Sequence, residues 1–147
     1  MHWLDWSIRI MSTYDKGNWF AYQYSVSLSG RPQGEIAIER FVISDVQGDE
    51  VTVTRDINQG TPETIKGSLA KGSCVFDFSN LDKRGSDNMK TPLGSMYVTI
   101  YEKDDGDIGQ RIFVGKDNIA FRVINTRKTE NGLLTETHEL CWTNVSL

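Results

Sequence analysis

Phe20, Tyr22, Tyr24, Val26 and Leu28 occupy every second position of the segment NWFAYQYSVSLSG, with Ala21, Gln23, Ser25 and Ser27 between them. Successive side chains of a β-strand point to opposite faces, so this spacing predicts a long strand with one apolar face and one wet face. The same two-residue rhythm recurs along most of the chain. No stretch carries the stripe of an amphipathic helix.

Strands bounded by turn residues number about ten. The first runs from about Trp3 to Met11, with Trp6, Ile8 and Ile10 on one face, and Asp15-Lys16-Gly17 turns it into the aromatic strand. After a loop at Gly30 to Gly34, a strand from Glu35 to Val46 has Ile36 and Ile38 in one phase and Phe41 and Ile43 in the other. Such a phase change predicts a β-bulge near Glu39-Arg40. Gln47 to Glu50 reads as a hairpin into Val51 to Thr54, and Asn58 to Pro62 as a turn into a weaker strand, Ile65 to Leu69. Cys74 to Phe78 is the next strand, and Ser79 to Gly94 is the one long irregular segment, the kind that in a compact domain is functional or mobile. Met96, Val98 and Ile100 then alternate with Tyr97, Thr99 and Tyr101. Turns at Asp104 to Asp107 and Lys116 to Asn118 bracket a strand through Ile112 and Val114, and Ile119, Phe121 and Val123 continue the pattern. Asn131-Gly132 is the strongest hairpin signal and delivers the last strand, Leu134 to Val145, with His138, Leu140 and Trp142 in one phase.

Short connections make neighbours in sequence neighbours in the sheet, because parallel strands would need crossover helices. The expected fold is therefore all-β, a single domain over residues 1–147. It is an antiparallel up-and-down meander closed into a barrel or, as second choice, curved into a half-barrel, with a β-sandwich as the alternative.

Composition changes this picture little. The chain of 147 residues is large enough for a core, and its 15 aromatic residues supply buried area despite a hydrophobic content of 38%. A net charge of −4 with scattered basic residues argues against a nucleic-acid partner and against an anionic membrane surface. No run is long enough for a membrane-spanning helix. No leader is recognisable, and the location is left open between the cytoplasm and, if a leader was omitted, the envelope or exterior. Cys74 and Cys141 read as free core thiols ahead of a disulfide.

Chemistry-bearing motifs are few. Asp104-Asp105-Gly106-Asp107 invites a calcium reading, but the alternate positions before Gly106 include Lys103 and Tyr101, and Ile112 stands where the closing glutamate belongs. A hairpin turn explains it better. His138 shares a phase with Leu140 and Trp142 and points inward, while Cys141 lies on the opposite face. The two cannot form a nucleophile–base pair within one strand. With no zinc spacing, phosphate loop or nucleophile elbow, the chain leans away from an enzyme and implies no cofactor and no metal.

The aromatic residues remain. Tyr22 and Tyr24 lie in an apolar phase and need hydroxyl partners when buried. If the interior is open, Phe20, Tyr22, Tyr24, Phe121, His138 and Trp142 are the expected lining of a site for an apolar small molecule. The strand with large side chains on both faces makes Tyr97 and Tyr101 the candidate interaction surface, with the segment Ser79 to Gly94 beside it. A homo-oligomer is left open.

Gly17-Asn18-Trp19-Phe20-Ala21-Tyr22 and the later Val46-Gln47-Gly48-Asp49-Glu50-Val51-Thr52-Val53 resemble the opening of secreted or lipid-anchored archaeal and bacterial β-domains. Lys116-Asp117-Asn118 before Ile119, and Gly132 with the alternating final strand, are similar too. The broader relatives are curved half-barrels of the lipoprotein-carrier kind. The resemblance implies an envelope location and a lipid or acyl chain in a concave apolar surface, and it transfers no functional residue. The leading expectation is thus non-catalytic binding of an apolar molecule or acyl chain. The alternatives are an interaction module with a filled barrel and an enzyme using His138 with an acid from a neighbouring strand.

Overall fold

The computed structural model describes residues 13–147, so the strand expected from Trp3 to Met11 lies outside the described residues. The strands are β1 (Trp19–Leu28), β2 (Arg31–Pro32), β3 (Ala37–Gln47), β4 (Glu50–Ile57), β5 (Glu63–Ser68), β6 (Gly72–Ser73), β7 (Phe76–Asp77), β8 (Asp82–Thr91), β9 (Gly94–Asp104), β10 (Ile108–Val114), β11 (Ala120–Thr129) and β12 (Gly132–Thr143). One turn of 3-10 helix, Lys116–Asn118, joins β10 to β11. Among the described residues no helix is long and apolar enough to cross a membrane.

Ten strands form one antiparallel sheet in the order β5-β4-β3-β1-β12-β11-β10-β9-β8, with β2 beside β1. Neighbours in sequence pair, as the short connections require. β1 also pairs with β12, from Phe20 opposite Thr143 to Leu28 opposite Leu134. That is the contact which would close a barrel, yet the sheet is open between β5 and β8. The architecture is the curved half-barrel, neither the closed barrel nor the sandwich. The chain between β5 and β8 explains the gap. It leaves the ladder, forms the β6–β7 hairpin and folds onto the sheet, where the Phe76 ring lies 5.3 Å from Tyr22, 5.7 Å from Phe41 and 5.5 Å from His138. We call the face beneath it the inner face. Gly67 of β5 permits this approach: a Cβ there would stand 1.8 Å from the Cys74 carbonyl oxygen.

Several expectations fail here for identifiable reasons. Cys74 to Phe78 is not one strand, because the chain reverses at Cys74-Val75 with Cys74 at φ 48°. Ser79 to Gly94 is not irregular. Most of it is β8, paired with β9 from Asp82 opposite Glu102 to Thr91 opposite Gly94. An edge strand with Met89 as its one large apolar residue shows no apolar alternation, so the pattern hides it. The bulge expected at Glu39-Arg40 is also absent, since both ladders run unbroken there; the slip comes later, between Ile43 and Asp45. Glu39, Phe41 and Ile43 share the buried phase, and Ile36 is 64% exposed. What looked like a phase change is a glutamate in the core.

A second bulge matters more. Leu140 stands opposite Tyr22, and Trp142 stands opposite Ala21, so Cys141 is an extra residue in β12. One inserted residue reverses the phase of everything beyond it. Trp142, expected inward with His138 and Leu140, is turned to the outer face and left 62% exposed.

Candidate functional site

The inner face carries a line of ionised groups across five adjacent strands. Glu39 on β3 is 1% exposed. Its Oε2 accepts from Arg55 Nε and from a terminal guanidinium nitrogen, both at 2.7 Å, and its Oε1 lies 2.7 Å from His138 Nδ1. Arg55 on β4 reaches onward to Glu63 on β5, also at 2.7 Å. On the other side His138 Nε2 lies 3.3 Å from Glu136 Oε1, both residues belonging to β12. Glu136 also accepts from the Tyr24 hydroxyl of β1 and, at 3.2 Å, from the Asn125 amide of β11. Gln110 of β10 donates to Asn125 at 2.9 Å.

Strand geometry places these groups together. His138 is the cross-strand partner of Tyr24 and of Val123, while Glu39 faces Tyr22 across the adjoining ladder. The imidazole is sandwiched by rings, with Tyr24 at 4.9 Å and Phe76 at 5.5 Å between centroids. Burial alone would lower the His138 pKa, but the carboxylates of Glu39 and Glu136 outweigh it and hold the ring above its ordinary value. For Glu136 burial opposes ionisation, and donation from Tyr24, Asn125 and His138 overcomes it, so that carboxyl titrates below its ordinary range. Burial and the neighbouring Glu136 push Tyr24 up to about 12.

Both imidazole nitrogens face carboxylates, and the ring is biased toward its charged form. A general base needs a free lone pair directed at substrate. The arrangement instead ties strands together through buried charge. Sequence reasoning missed Glu39, Arg55 and Glu136 as partners of His138. The available signal was a glutamate at an inward position of a strand, between Ile38 and Phe41, which was read as a bulge.

The expected lining residues separate into groups. Phe20 and Tyr22 are buried and, with Tyr14, Phe41, Cys74, Val75, Phe76 and Ile119, surround a void of about 10 Å³. That is room for roughly one water, not an acyl chain. Phe121, 1% exposed, packs into the core beside Gly115, where a Cβ would meet its ring at 2.4 Å. Tyr24 and His138 join the charged line, and Trp142 lies on the other face. The open cavity expected of these six residues is thus not what the structure holds. The hydroxyls of Tyr22 and Tyr24 do find partners: Tyr22 donates to the Ala120 carbonyl at 2.7 Å.

Of the two surface candidates, Tyr97 is 67% exposed, whereas Tyr101 is half-buried and stacks on Phe78 at 4.6 Å. The two cysteines are free and buried. The Asp104 and Asp105 carboxylates accept N–H groups of their own turn, from Gly106, Asp107 and Ile108, as a hairpin turn requires.

No family model and no curated protein matches this chain. Solved structures do. The crystal structure of MucB is 14% identical, with a TM-score of 0.50 over 98% of this chain and 58% of that one. The MucA/MucB complex of Pseudomonas aeruginosa matches at 14% identity and 0.50 over 95% of this chain and 56% of that one. The chain therefore spans a little over half the length of the structures it resembles. Likeness at this identity concerns the fold alone, an open curved antiparallel sheet. It supports a distant resemblance to another β-domain and lends nothing to the acyl-carrying property implied by lipoprotein carriers.

Proposed function

We propose that the domain is a non-catalytic interaction module, a scaffold that meets a protein partner through its surface rather than holding a molecule in its interior. The observation that carries this reading is the β6–β7 hairpin, whose Cys74, Val75 and Phe76 fill the apolar part of the inner face and leave a void of about 10 Å³. Over this aromatic part the half-barrel is filled by its own chain, and the larger inner-face cleft of about 380 Å³ is bordered by Gln110, Asn125, Arg127 and Glu136, a polar lining that does not suit an acyl guest. The partner surface is centred on Tyr97 of β9, beside the exposed edge strand β8. Tyrosine is among the residue types enriched at interface hot spots, and uncharged Ser95 and Thr99 flank Tyr97 along its strand. The record of MucB in a complex with MucA supports the reading to the extent that a fold of this kind serves protein recognition.

The test has two arms. Native mass spectrometry of the purified protein should give the mass of the bare chain, and a stoichiometric co-purifying lipid would overturn the filled-interior premise. In cells of the source organism, a photocrosslinking amino acid at Tyr97 should trap a discrete protein adduct, and the same group at exposed Lys66 should not. The absence of an adduct at Tyr97 would remove that surface.

A further inference from the structure

Two departures from regular β geometry meet at one cleft on the outer face. The first is the bulge at Cys141, which aims the Trp142 indole outward. The second is the turn between β4 and β5, where Asn58 and Gln59 stand in succession at φ 52° and 60°. Asparagine visits the left-handed region readily; glutamine does so at a cost. The turn is pinned to β3 on both sides. Asn58 N–H donates to the Ile38 carbonyl at 2.8 Å, and Asn58 Oδ1 accepts from Ile38 N–H at 2.8 Å. Gln59 N–H donates to Asp56 Oδ1 at 3.1 Å. Bulges re-aim side chains and strained residues persist at ligand clamps, so their convergence points to a site.

The register confirms that these parts share one face. Trp142, Ala21, Arg40 and Asp56 form a single cross-strand row over β12, β1, β3 and β4. The cleft is a shallow one, open to solvent, with a volume of about 370 Å³, and is lined by Ile38, Arg40, Asp56, Asn58, Gln59 and Trp142. Its volume lies in the range of small-ligand sites. The Arg40 guanidinium is half exposed and donates to Asp56 Oδ2 from Nε at 3.4 Å and from one terminal nitrogen at 3.3 Å, which leaves a guanidinium with five N–H groups further donors at the cleft it lines. The amide side chains of Asn58 and Gln59 add both donors and acceptors.

One flat aromatic surface therefore faces short hydrogen-bonding groups of both kinds. A protein hot spot excludes water with surrounding near-neutral contacts, whereas the indole here is bordered by a guanidinium, a carboxylate and two amides. A pyranose is complementary: its C–H face is apolar and its rim of hydroxyls both donates and accepts. We propose that the Trp142 cleft binds a saccharide, with the indole against the C–H face of a sugar ring and Arg40, Asn58 and Gln59 hydrogen-bonding its hydroxyls. The proposal does not depend on the Tyr97 surface.

The experiment is a titration of ¹⁵N-labelled protein with maltotriose, chitotriose and trigalacturonate, read at the Trp142 indole N–H and the amides of residues 57–60. At least one trisaccharide should give saturable shifts there, with saturation transferred to sugar C–H protons. Trp142→Ala, at an exposed position, should weaken that binding by about tenfold or more. Gln59→Gly should weaken it too while leaving Tm unchanged or raised, because glycine takes the left-handed conformation without strain. Tyr97→Ala should bind as the parent does. No shift at Trp142 with any of the three sugars at tens of millimolar, or binding that both cleft variants retain in full, overturns the proposal.

Discussion

Replacing Glu39 by glutamine removes one charge and almost no volume from the most deeply buried carboxylate among the described residues. The carboxylate is 1% exposed and is shared by Arg55, with a side chain 23% exposed, and His138, 8% exposed. Exposed ion pairs are worth about 0–1 kcal/mol, but breaking a buried one costs about 3–5 kcal/mol, because the remaining charge stays desolvated without its partner. Arg55 keeps Glu63 and His138 keeps Glu136, so the lower end of that range, about 3 kcal/mol, is expected. For a chain of this length each kcal/mol moves Tm by about 2–4 °C, giving a fall of roughly 6–12 °C. Urea unfolding followed by far-UV circular dichroism, with calorimetry in parallel, measures both quantities. A double-mutant cycle with His138→Gln should show a coupling of about 0.5–3 kcal/mol. A loss under about 1 kcal/mol, at the level of a surface pair, would refute the claim that Glu39 is the pivot of a buried charge line.

The His138 ring, held above its ordinary value, contributes stability that is complete below about pH 6.5 and is lost as pH rises through the folded-state pKa. Glu136, held low, contributes stability present above about pH 4.3 and lost as pH falls through its folded-state value. Their sum predicts greatest stability between those limits, and urea midpoints across pH 3 to 9 that rise monotonically to pH 9 would contradict it. Gly67→Ala should detach the hairpin, since its Cβ would collide with the Cys74 carbonyl; an unchanged Phe76–Tyr22 nuclear Overhauser contact would count against that. Cys74, pushed up to about 12 by burial, should resist iodoacetamide at pH 8 in the native state and react on unfolding, and rapid native labelling would show that the hairpin opens freely. In hydrogen exchange the amides of β8 should exchange faster than those of β5, because β8 is a mostly exposed strand whose ladder is β9 alone, while β5 is covered by the hairpin and tied by Arg55 to Glu63.

The two-residue rhythm made the sheet legible, because half-buried antiparallel strands must alternate. It located β1, β4, β9 and β11 and the turns after Gln47, Asp104 and Thr129 without help from tertiary structure. It failed wherever the face assignment rested on an exception. Glu39 occupies an apolar position because Arg55 and His138, distant in sequence, satisfy it. Cys141 changes the phase of Trp142 through a register shift that exists only against β1. β8 has Met89 as its one apolar side chain set against the core, too few apolar positions to show an alternation. The Cys74–Phe78 run was apolar as predicted, but its residues serve as a plug over the sheet instead of a stave within it. The failures at Glu39, Cys141 and the plug arise from contacts between segments far apart in the chain, which local pattern does not encode, and the failure at β8 from an edge position that asks for little apolar surface.

The charge line and the plug act on the same half of the molecule. From Glu63 through Arg55, Glu39 and His138 to Glu136, the ionised groups cross β5, β4, β3 and β12 and pass beside β1, whose Tyr24 they engage. Phe76 rests on the middle of that line, against His138. The β5 edge of the open sheet is thereby bound to the barrel-like pairing of β1 with β12 and covered by the hairpin. The β8 edge has neither device. It is guarded only by the charges of Lys83, Arg84, Asp87 and Lys90, which discourage indiscriminate strand pairing. A half-barrel built this way ties down one edge through its interior and leaves the other edge, with the exposed Tyr97 beside it, facing solvent.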